Sequence, residues 1–530
     1  MERRPNFLII QADQLTARAL AAYGNRIVKA PNIDRLARNG VVFERAYCNY
    51  PLCAPSRFSM LAGRLASRIG AYDNGAEFPA SVPTFAHYLR ILGYQTCLAG
   101  KMHFIGPDQL HGFEERLTTD IYPSDFNWTA NWDDASSDST GGRLLAAAGE
   151  AQGVRAAGIY ERTVQLDFDD EVAFRAVRKI HDHARGDDQR PFCLFVSFTH
   201  PHDPFAIPRR YWDRYRHEDI DLPKVPALAR DRLDPHSQRL YDHIAVAAAG
   251  LTEAQVKLAR HAYYGAISYI DDRIGDLLTA LDTAGLSQET VVVFLSDHGE
   301  ALGERGLWFK RSFFEPAMRI PLIFNAPQRF AARRCNRTVS LVDLFPTLID
   351  LADPQSNNGA IATGTDGHSL RALLLGQTHA WPNLAFAEMT CEGTSAPCLM
   401  VVEGSLKYIH CETDPPLLYD LDADPFEREN LAGHPAHAES LRQLHDRLER
   451  TWNVAALTQA VVDSQRRRRI VDRANAVGTV TTWDYAGRAP SHDRYFRPSP
   501  VNPSASNYND DFQVRLRPDT ARPARRTYPP

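Results

Sequence analysis

Asn6-Phe-Leu-Ile-Ile-Gln-Ala-Asp13 is a short apolar run that ends in a charged residue, which is the form expected of a buried strand. Three later segments repeat this form: Tyr94-Gln-Thr-Cys-Leu-Ala-Gly-Lys101, Phe192-Cys-Leu-Phe-Val-Ser-Phe-Thr-His200 and Val291-Val-Val-Phe-Leu-Ser-Asp297. Segments with apolar residues at helical spacing lie between them, at 32–38, 85–92 and about 259–281. Strands that alternate with helices predict an α/β fold with a mainly parallel central sheet flanked by helices.

Polar residues stand at the ends of the four predicted strands: Asp13, Lys101, His200 and Asp297. The carboxyl ends of parallel strands share one edge of a sheet, where ligands bind in such folds. Any one of these residues could simply begin a polar loop. The four together predict an active site at that edge.

The composition is that of an ordinary globular protein. The chain has 530 residues, 44% of them hydrophobic and 24% charged, and its net charge of -5 gives no reason to expect a nucleic acid partner. No apolar run approaches the ~18 residues of a membrane helix, and the apolar stretch near the N-terminus is too short for a signal segment. The eight cysteines have no paired spacing. We therefore expect a cytoplasmic protein without membrane contact or a disulfide framework.

The sequence pattern changes near residue 375, where short alternating strands and turns begin. We expect a catalytic domain over 1–375, an α+β subdomain with a smaller antiparallel sheet over 376–495, and an extended tail over 496–530. The tail is rich in Pro, Ser, Asn and Arg and cannot bury itself, so it is either disordered or packed on another subunit. A tail of this composition would be ordered only by packing on another chain, which favours a homodimer or homotetramer over a monomer. The run Arg466–Arg469 is predicted to lie on a solvated or subunit-facing helix surface, in preference to an anion-binding patch.

A second stretch indicates a reactive cysteine. It reads Cys53-Ala-Pro-Ser-Arg57-Phe-Ser-Met-Leu-Ala-Gly-Arg64. Pro55 suits the first turn of a helix, which would put Cys53 just before a helix N-terminus, where free N–H groups favour an anion. Arg57 adds a fixed positive charge one turn on. The alternative is a buried thiol that only packs.

This stretch resembles the signature of the type I sulfatases, which belong to the alkaline phosphatase superfamily. The resemblance implies an alkaline-phosphatase-like fold and the conversion of Cys53 to formylglycine by a separate formylglycine-generating enzyme. One hydroxyl of the hydrated aldehyde would attack sulfur and the other would later expel the sulfate.

The other candidate residues surround this nucleophile. Oxygen and imidazole donors suit one divalent metal, with calcium favoured over manganese or magnesium, and the predicted ligands are Asp13, Cys53, Asp297 and His298. By resemblance, Arg57 and Lys101 would support the nucleophile and the sulfate, and Lys310 would bind a sulfate oxygen. His103 would take the proton of the nucleophile, and His200 would assist the leaving oxygen. Gln14 stands where many arylsulfatases have a second aspartate.

Longer segments resemble choline sulfatases more closely than arylsulfatases, above all Gly100 to Trp128 and Phe198 to Pro204. They predict a small sulfate ester as substrate, with choline O-sulfate favoured. A quaternary ammonium needs aromatic faces and a carboxylate, and the predicted substrate-binding residues are Gln14, Asn74, Trp128 and Glu392.

Other readings stay open. One is a sulfatase for another alkyl or aryl sulfate, and another is a phosphonate monoester or phosphodiester hydrolase of the same superfamily. Lys101 and His103 favour sulfate, because the phosphonate hydrolases generally carry hydroxylic residues there. A third is a silent member that only binds anions. The sequence departs from choline sulfatases beyond about Arg497, where Tyr508, Asp510 and Asp511 could reshape the pocket.

Overall fold

The computed structural model describes residues 4–121, 126–133, 153–244, 250–353 and 364–477, and a nine-stranded sheet runs through this part of the chain. The strands follow the order β11-β2-β10-β8-β1-β6-β3-β4, with β9 paired to β2. Their bounds are β1 Asn6–Ala12, β2 Val41–Tyr47, β3 Gln95–Gly100, β4 Glu115–Arg116, β6 Phe192–Ser197, β8 Thr290–Ser296, β9 Arg319–Ile320, β10 Leu322–Asn325 and β11 Arg333–Ser340. A small separate sheet pairs β5 Gly158–Ile159 with β7 Ala206–Ile207.

The strands with polar ends are neighbours in the large sheet. β8, β1, β6 and β3 are adjacent and parallel, so their carboxyl ends lie at one edge. β10 runs antiparallel to both β8 and β2, and β9 is antiparallel to β2. The predicted α/β fold with a mixed, mainly parallel sheet is therefore confirmed.

Each central strand contributes side chains to two hydrophobic cores, one on each face of the sheet, because successive side chains point to opposite faces. In β8, Val291, Val293 and Leu295 pack on one face, and Val292 and Phe294 pack on the other. Helices cover both faces. Their bounds are α1 Pro31–Asn39, α2 Cys53–Ala62, α3 Phe85–Ile91, α4 Val164–Arg185, α5 Arg209–Trp212, α6 Pro235–His243, α7 Glu253–Thr283, α8 Glu315–Met318, α9 Leu344–Ala352 and α10 Arg371–Leu374.

A smaller antiparallel sheet follows, as the sequence predicts. It contains β12 Leu384–Met389, β13 Cys398–Glu403, β14 Leu406–Cys411 and β15 Leu417–Asp420. Two helices, α11 Ala438–Thr451 and α12 Val454–Asn475, come next, and Leu444 and Leu448 of α11 pack on Leu399 and Val401 of β13. The tail predicted at 496–530, with Tyr508, Asp510 and Asp511, lies outside the described residues.

Gly100 allows the strand ends to approach closely. Its φ is 100°, and a Cβ there would lie 1.9 Å from the carbonyl oxygen of Ser197. A side chain would therefore force β3 away from β6 at the point where Lys101 follows. Among the helices of the described ranges, none has the length and apolarity needed to cross a membrane.

Candidate active site

Cys53 is the first residue of α2 and is buried. The helix therefore begins one residue earlier than the sequence predicts. The backbone N–H of Ala54 donates a 2.9 Å hydrogen bond to Oδ1 of Asn74. Asn74 therefore fixes the first turn of the helix that carries the candidate nucleophile. The helix ends at Gly63, whose φ is 64°.

The four predicted metal ligands meet at the end of the sheet. Donor atoms of Asp13, Cys53, Asp297 and His298 lie within 4.8 Å of one another, and all four residues are buried. Nδ1 of His298 lies 3.1 Å from the carbonyl oxygen of Gly299 and donates to it, so Nε2 is the ring nitrogen that faces the cluster. That Nε2 is 3.2 Å from Sγ of Cys53. Two carboxylates and one oriented imidazole fit a divalent cation.

Two cations hold the carboxylates in place. Nε of Arg57 is 2.9 Å from Oδ2 of Asp297, and Nη2 of Arg57 is 3.2 Å from Oδ2 of Asp13. The ammonium of Lys101 contacts Asp13 and lies 3.7 Å from Sγ of Cys53. Burial alone would raise the pKa of Asp13, but the charges of Lys101, His202 and Arg57 together outweigh it and hold the pKa well below its usual range.

The electrostatics at Cys53 favour an anion. Burial raises the pKa of the thiol, but the charges of Lys101, Lys310 and His298 and a hydrogen bond with His103 together outweigh it, so the pKa lies well below its ordinary value. A group that carries negative charge is thus stabilised at this position, as a nucleophile requires.

His103 contacts both Cys53 and the ring of Trp128. Its backbone N–H donates a 2.6 Å hydrogen bond to Oδ2 of Asp120, and the same oxygen accepts a 3.0 Å hydrogen bond from Nη2 of Arg116. The ring centroid of Trp128 is 5.9 Å from that of His103, in an edge-to-face arrangement. Burial lowers the pKa of His103, which keeps the ring neutral and able to accept a proton.

His200 is oriented by Asp169, a residue that sequence reasoning missed. Nδ1 of His200 is 2.7 Å from Oδ2 of Asp169, and the other oxygen, Oδ1, accepts from the backbone N–H of Thr199 at 2.7 Å. Nε2 of His200 is buried and has no hydrogen-bond partner within the described residues. A carboxylate on Nδ1 and an open Nε2 are what a proton donor to a bound substrate needs.

Lys310 and Gln14 belong to one buried network. Nζ of Lys310 is 2.5 Å from Oε1 of Gln14 and 2.7 Å from Nε2 of His202. The Gln14 amide donates to Asp203 at 3.3 Å and to Glu300. Gln14 is therefore held at both ends of its side chain. Sequence reasoning did not select His202, although it stands two residues after His200.

Glu392 is paired with a cation. Its Oε2 contacts Nε of Arg311, the residue after Lys310, and lies 3.9 Å from Nε2 of His243. All three side chains are largely buried. The carboxylate is thus fixed beside the Lys310 network, with part of its charge neutralised.

Arg468 corrects the expectation for the Arg466–Arg469 run. The residue is 7% exposed, and its guanidinium bonds both oxygens of Asp73, at 2.5 and 2.7 Å, and Oγ1 of Thr129 at 3.1 Å. Asp73 precedes Asn74, and Thr129 follows Trp128. Helix α12 therefore anchors two loops of the site, because a buried arginine needs carboxylate partners. Arg466 does pair at the surface, with Asp133.

Comparisons with known proteins agree with this geometry. The sulfatase family model matches residues 5–354, the model described as N-sulphoglucosamine sulphohydrolase, C-terminal, matches 303–453, and the model described as choline sulfatase enzyme C terminal matches 459–499. A protein named choline-sulfatase from Rhizobium meliloti (strain 1021) is 41% identical over 500 residues, covering 93% of this chain and 96% of that protein.

More distant relatives share the fold. The iduronate 2-sulfatase of Mus musculus is 30% identical over 393 residues, which cover 66% of this chain and 68% of that protein. The phosphonate monoester hydrolase of Agrobacterium radiobacter has a TM-score of 0.66 and 24% identity, over 84% of this chain and 95% of that one. The alkaline-phosphatase-like fold is confirmed. Because the sulfatase match spans more than half of the sequence and includes the Cys53 signature, the chain belongs to the sulfatase family.

Proposed function

We propose that this sulfuric ester hydrolase cleaves choline O-sulfate to choline and sulfate. The observation that carries the proposal is the 41% identity over 93% of the chain to a protein named choline-sulfatase. The position of Trp128 beside His103 supports it, because an aromatic face next to the reacting centre can hold a quaternary ammonium.

Two buried lysines lie where the sulfate would bind. Lys101 and Lys310 are buried and both act on Cys53, so they can neutralise the charge that develops on the sulfate oxygens. A divalent ion held by Asp13, Cys53, Asp297 and His298 would supply further positive charge and lower the pKa of the nucleophile, and we propose calcium, with manganese or magnesium as alternatives. Formylglycine at position 53, formed by a separate formylglycine-generating enzyme, would supply the attacking hydroxyl.

Two histidines divide the proton transfers. His103 contacts position 53 and is kept neutral, so we assign it the proton of the nucleophile. His200 presents Nε2 without a protein partner in the described part of the chain, so we assign it the proton that the leaving oxygen takes. Choline is an alkyl alcohol and a poor leaving group, which makes this second proton necessary.

Asp169→Asn should lower kcat for choline sulfate by on the order of 100-fold, because His200 loses the acceptor that fixes its tautomer. An aryl sulfate with a nitrophenolate leaving group should lose less than about fivefold, since that group departs without a proton. Steady-state kinetics on the two substrates measure this difference.

Asp170→Asn is the matched control, because Asp170 is the next residue and bonds Tyr269 and Arg162 instead. It should keep near-normal kcat on both substrates. Equal losses for the alkyl and aryl esters in Asp169→Asn would contradict the role given to His200.

Trp128 has the larger share of ammonium recognition in this proposal. Glu392 is partly neutralised by Arg311, so its attraction for a cation is weaker than that of an unpaired carboxylate. Asn74 shapes the pocket from the other side through its bond to Ala54, and Gln14 does so through Lys310.

Trp128→Ala should raise the KM for choline sulfate roughly 10- to 30-fold, because a desolvated cation–π contact contributes about 2 kcal/mol. Trp128→Phe keeps an aromatic face and should raise it only a few-fold. The KM for 3,3-dimethylbutyl sulfate, in which carbon replaces the ammonium nitrogen, should change little in either variant. A similar rise for the esters with and without the ammonium group would contradict ammonium binding by Trp128.

The test of the proposed substrate is a comparison of kcat/KM among choline sulfate, 3,3-dimethylbutyl sulfate, an aryl sulfate and a phosphonate monoester. We expect the kcat/KM of choline sulfate to exceed that of the 3,3-dimethylbutyl ester, which lacks the ammonium, by at least about tenfold. A higher value for the phosphonate would favour the second candidate, a phosphonate monoester hydrolase, to which the structural similarity at TM-score 0.66 points.

We further propose a homodimer or homotetramer, and domain limits of 1–375, 376–495 and 496–530. Ile470 and Val471 of α12 are 59% and 40% exposed, and Val477 just after it is 77% exposed. Apolar residues clustered on one exposed helix end favour burial against another chain.

A further inference from the structure

A second cluster of reactive side chains lies in the small antiparallel sheet. Cys398 of β13 and Cys411 of β14 are register partners, and their sulfur atoms lie within 4.8 Å of each other. They are 1% and 4% exposed, and both thiols are free. The sulfatase reaction described above uses neither residue.

The register places these cysteines where a disulfide fits. A two-residue turn joins β13 to β14, so Glu403 and Leu406 form the closing, hydrogen-bonded pair of the hairpin. Hydrogen-bonded and non-hydrogen-bonded pairs then alternate along an antiparallel ladder. Cys398 and Cys411 are five pairs away from the closing pair and thus form a non-hydrogen-bonded pair. In such pairs the Cα atoms are ~4.5 Å apart, within the usual range for a disulfide.

The same cluster is poorly suited to a metal ion. Asp414 is its third member, but Arg239 bonds both of its carboxylate oxygens, at 2.9 and 2.6 Å. A fixed guanidinium repels a cation and occupies the lone pairs that a metal would need. The chemistry left to the cluster is that of two thiols.

A small pocket borders the two cysteines. Both line it together with His236, Ser312 and Phe313. The two thiols also differ in character. A hydrogen bond from Cys398 lowers the pKa of Cys411 to about 7; burial opposes this shift, and a hydrogen bond from Thr413 adds to it. The pKa of Cys398 is instead raised well above its ordinary value, by its hydrogen bond to Cys411 and by burial. Cys411 is therefore partly ionised at neutral pH, beside a Cys398 that stays a thiol.

We propose that Cys398 and Cys411 are a peroxide-sensitive dithiol, which hydrogen peroxide converts reversibly to a cross-strand disulfide. The Cys411 thiolate attacks one oxygen of the peroxide, forming an S–O bond while the O–O bond breaks and the departing hydroxide is protonated to water. The Cys398 sulfur then attacks the Cys411 sulfur, and the S–O bond breaks with loss of a second water. Two thiols and one peroxide thus give one disulfide and two waters, with the sulfurs oxidised and the peroxide reduced.

The cross-link would join two segments that are already connected near the site. Nε of Arg239 donates to the carbonyl oxygen of Gly393 at 2.9 Å while the same guanidinium holds Asp414. Gly393 follows Glu392 in the loop that leads into β13, and Asp414 follows β14. A disulfide stiffens the same connection without a change of register.

The test uses the full chain, treated with hydrogen peroxide, alkylated, denatured and digested with trypsin. Lys407 lies between the two cysteines, so cleavage there leaves their peptides joined only by a disulfide. We expect joined peptides with a mass about 2 Da below their sum, and their separation after treatment with dithiothreitol.

Matched variants locate the bond, because Cys391 shares the tryptic peptide of Cys398. Cys398→Ser and Cys411→Ser should each abolish the joined species, and Cys391→Ser should retain it. The oxidised wild-type protein should also melt a few degrees higher than the reduced form, because the bond constrains the unfolded chain.

Three outcomes would overturn the proposal: unjoined peptides after oxidation, sulfinic acid at Cys411 without a cross-link, or stoichiometric zinc uptake that blocks oxidation. A lower melting temperature of the oxidised form would also do so. None of these readouts needs turnover, so the proposal can fail or succeed independently of the substrate assigned above.

Discussion

Replacing Cys53 by alanine should remove the turnover of sulfate esters, with kcat lower by on the order of 10⁴-fold or more, while the fold stays intact. The group at this position is the proposed nucleophile, and its surroundings stabilise a negative charge there. The side chain is small, so its loss from the core should cost only about 1 kcal/mol of stability. Steady-state kinetics and thermal melting of the purified variant measure the two effects.

Cys48→Ala is the control for this experiment, because Cys48 is also buried but contacts Ala317 and Met318 outside the charged centre. It should keep normal turnover. Intact-protein mass spectrometry of active wild-type protein should find a species about 18 Da lighter than the unmodified chain, as conversion of a thiol to an aldehyde requires. An entirely unmodified yet active protein, or an active Cys53→Ala variant, would contradict the formylglycine assignment.

Asp297→Asn should remove most of the bound divalent metal and lower kcat by roughly 100- to 1,000-fold. Asp297 is one of two carboxylates in the centre, and its loss also leaves Arg57 without one of its two anionic partners. A neutral amide is a weaker ligand for a hard cation than a carboxylate. Elemental analysis of the purified variant measures the metal, and turnover measured with added calcium tests whether the loss is reversed.

Asp343→Asn serves as the comparison, since Asp343 is a buried carboxylate outside the four-residue cluster that accepts backbone hydrogen bonds from Ser340 and His368. It should retain the metal. A chelator should lower the melting temperature of the wild-type protein, because the ion binds the folded chain, and should leave that of Asp297→Asn unchanged. A stoichiometric amount of bound metal in Asp297→Asn would contradict the proposal that Asp297 is a metal ligand.

The strands that build the site could be predicted from the sequence because local patterns determine them. Apolar runs such as Asn6 to Ala12 and Val291 to Ser296 can be buried on both faces only in the middle of a sheet. The polar residues that end them had to meet once the strands were parallel neighbours. The antiparallel course of β10 was not predicted, because its four residues carry no mark of direction.

The residues that orient the catalytic groups could not be predicted in the same way. Asp169 lies on α4 and meets His200 only when that helix packs on the sheet, and Asp120 lies in a loop after β4. An isolated aspartate has no local signal that distinguishes a structural role from solvent exposure. The four arginines at 466–469 resemble a charged surface, and only the folded chain separates the buried Arg468 from Arg466.

The pairing of Arg468 with Asp73 has a consequence for how the enzyme is made. The two residues are 395 positions apart, and ribosomes add ~5–20 residues per second, so roughly 20–80 s separate the synthesis of one from that of the other. During that interval the Asp73 carboxylate has no guanidinium to bury against, and its loop cannot settle. A nascent chain that has completed the large sheet therefore still lacks the contact that fixes the loops of Asp73 and Thr129, and it gains this contact only when helix α12 has been translated and docked.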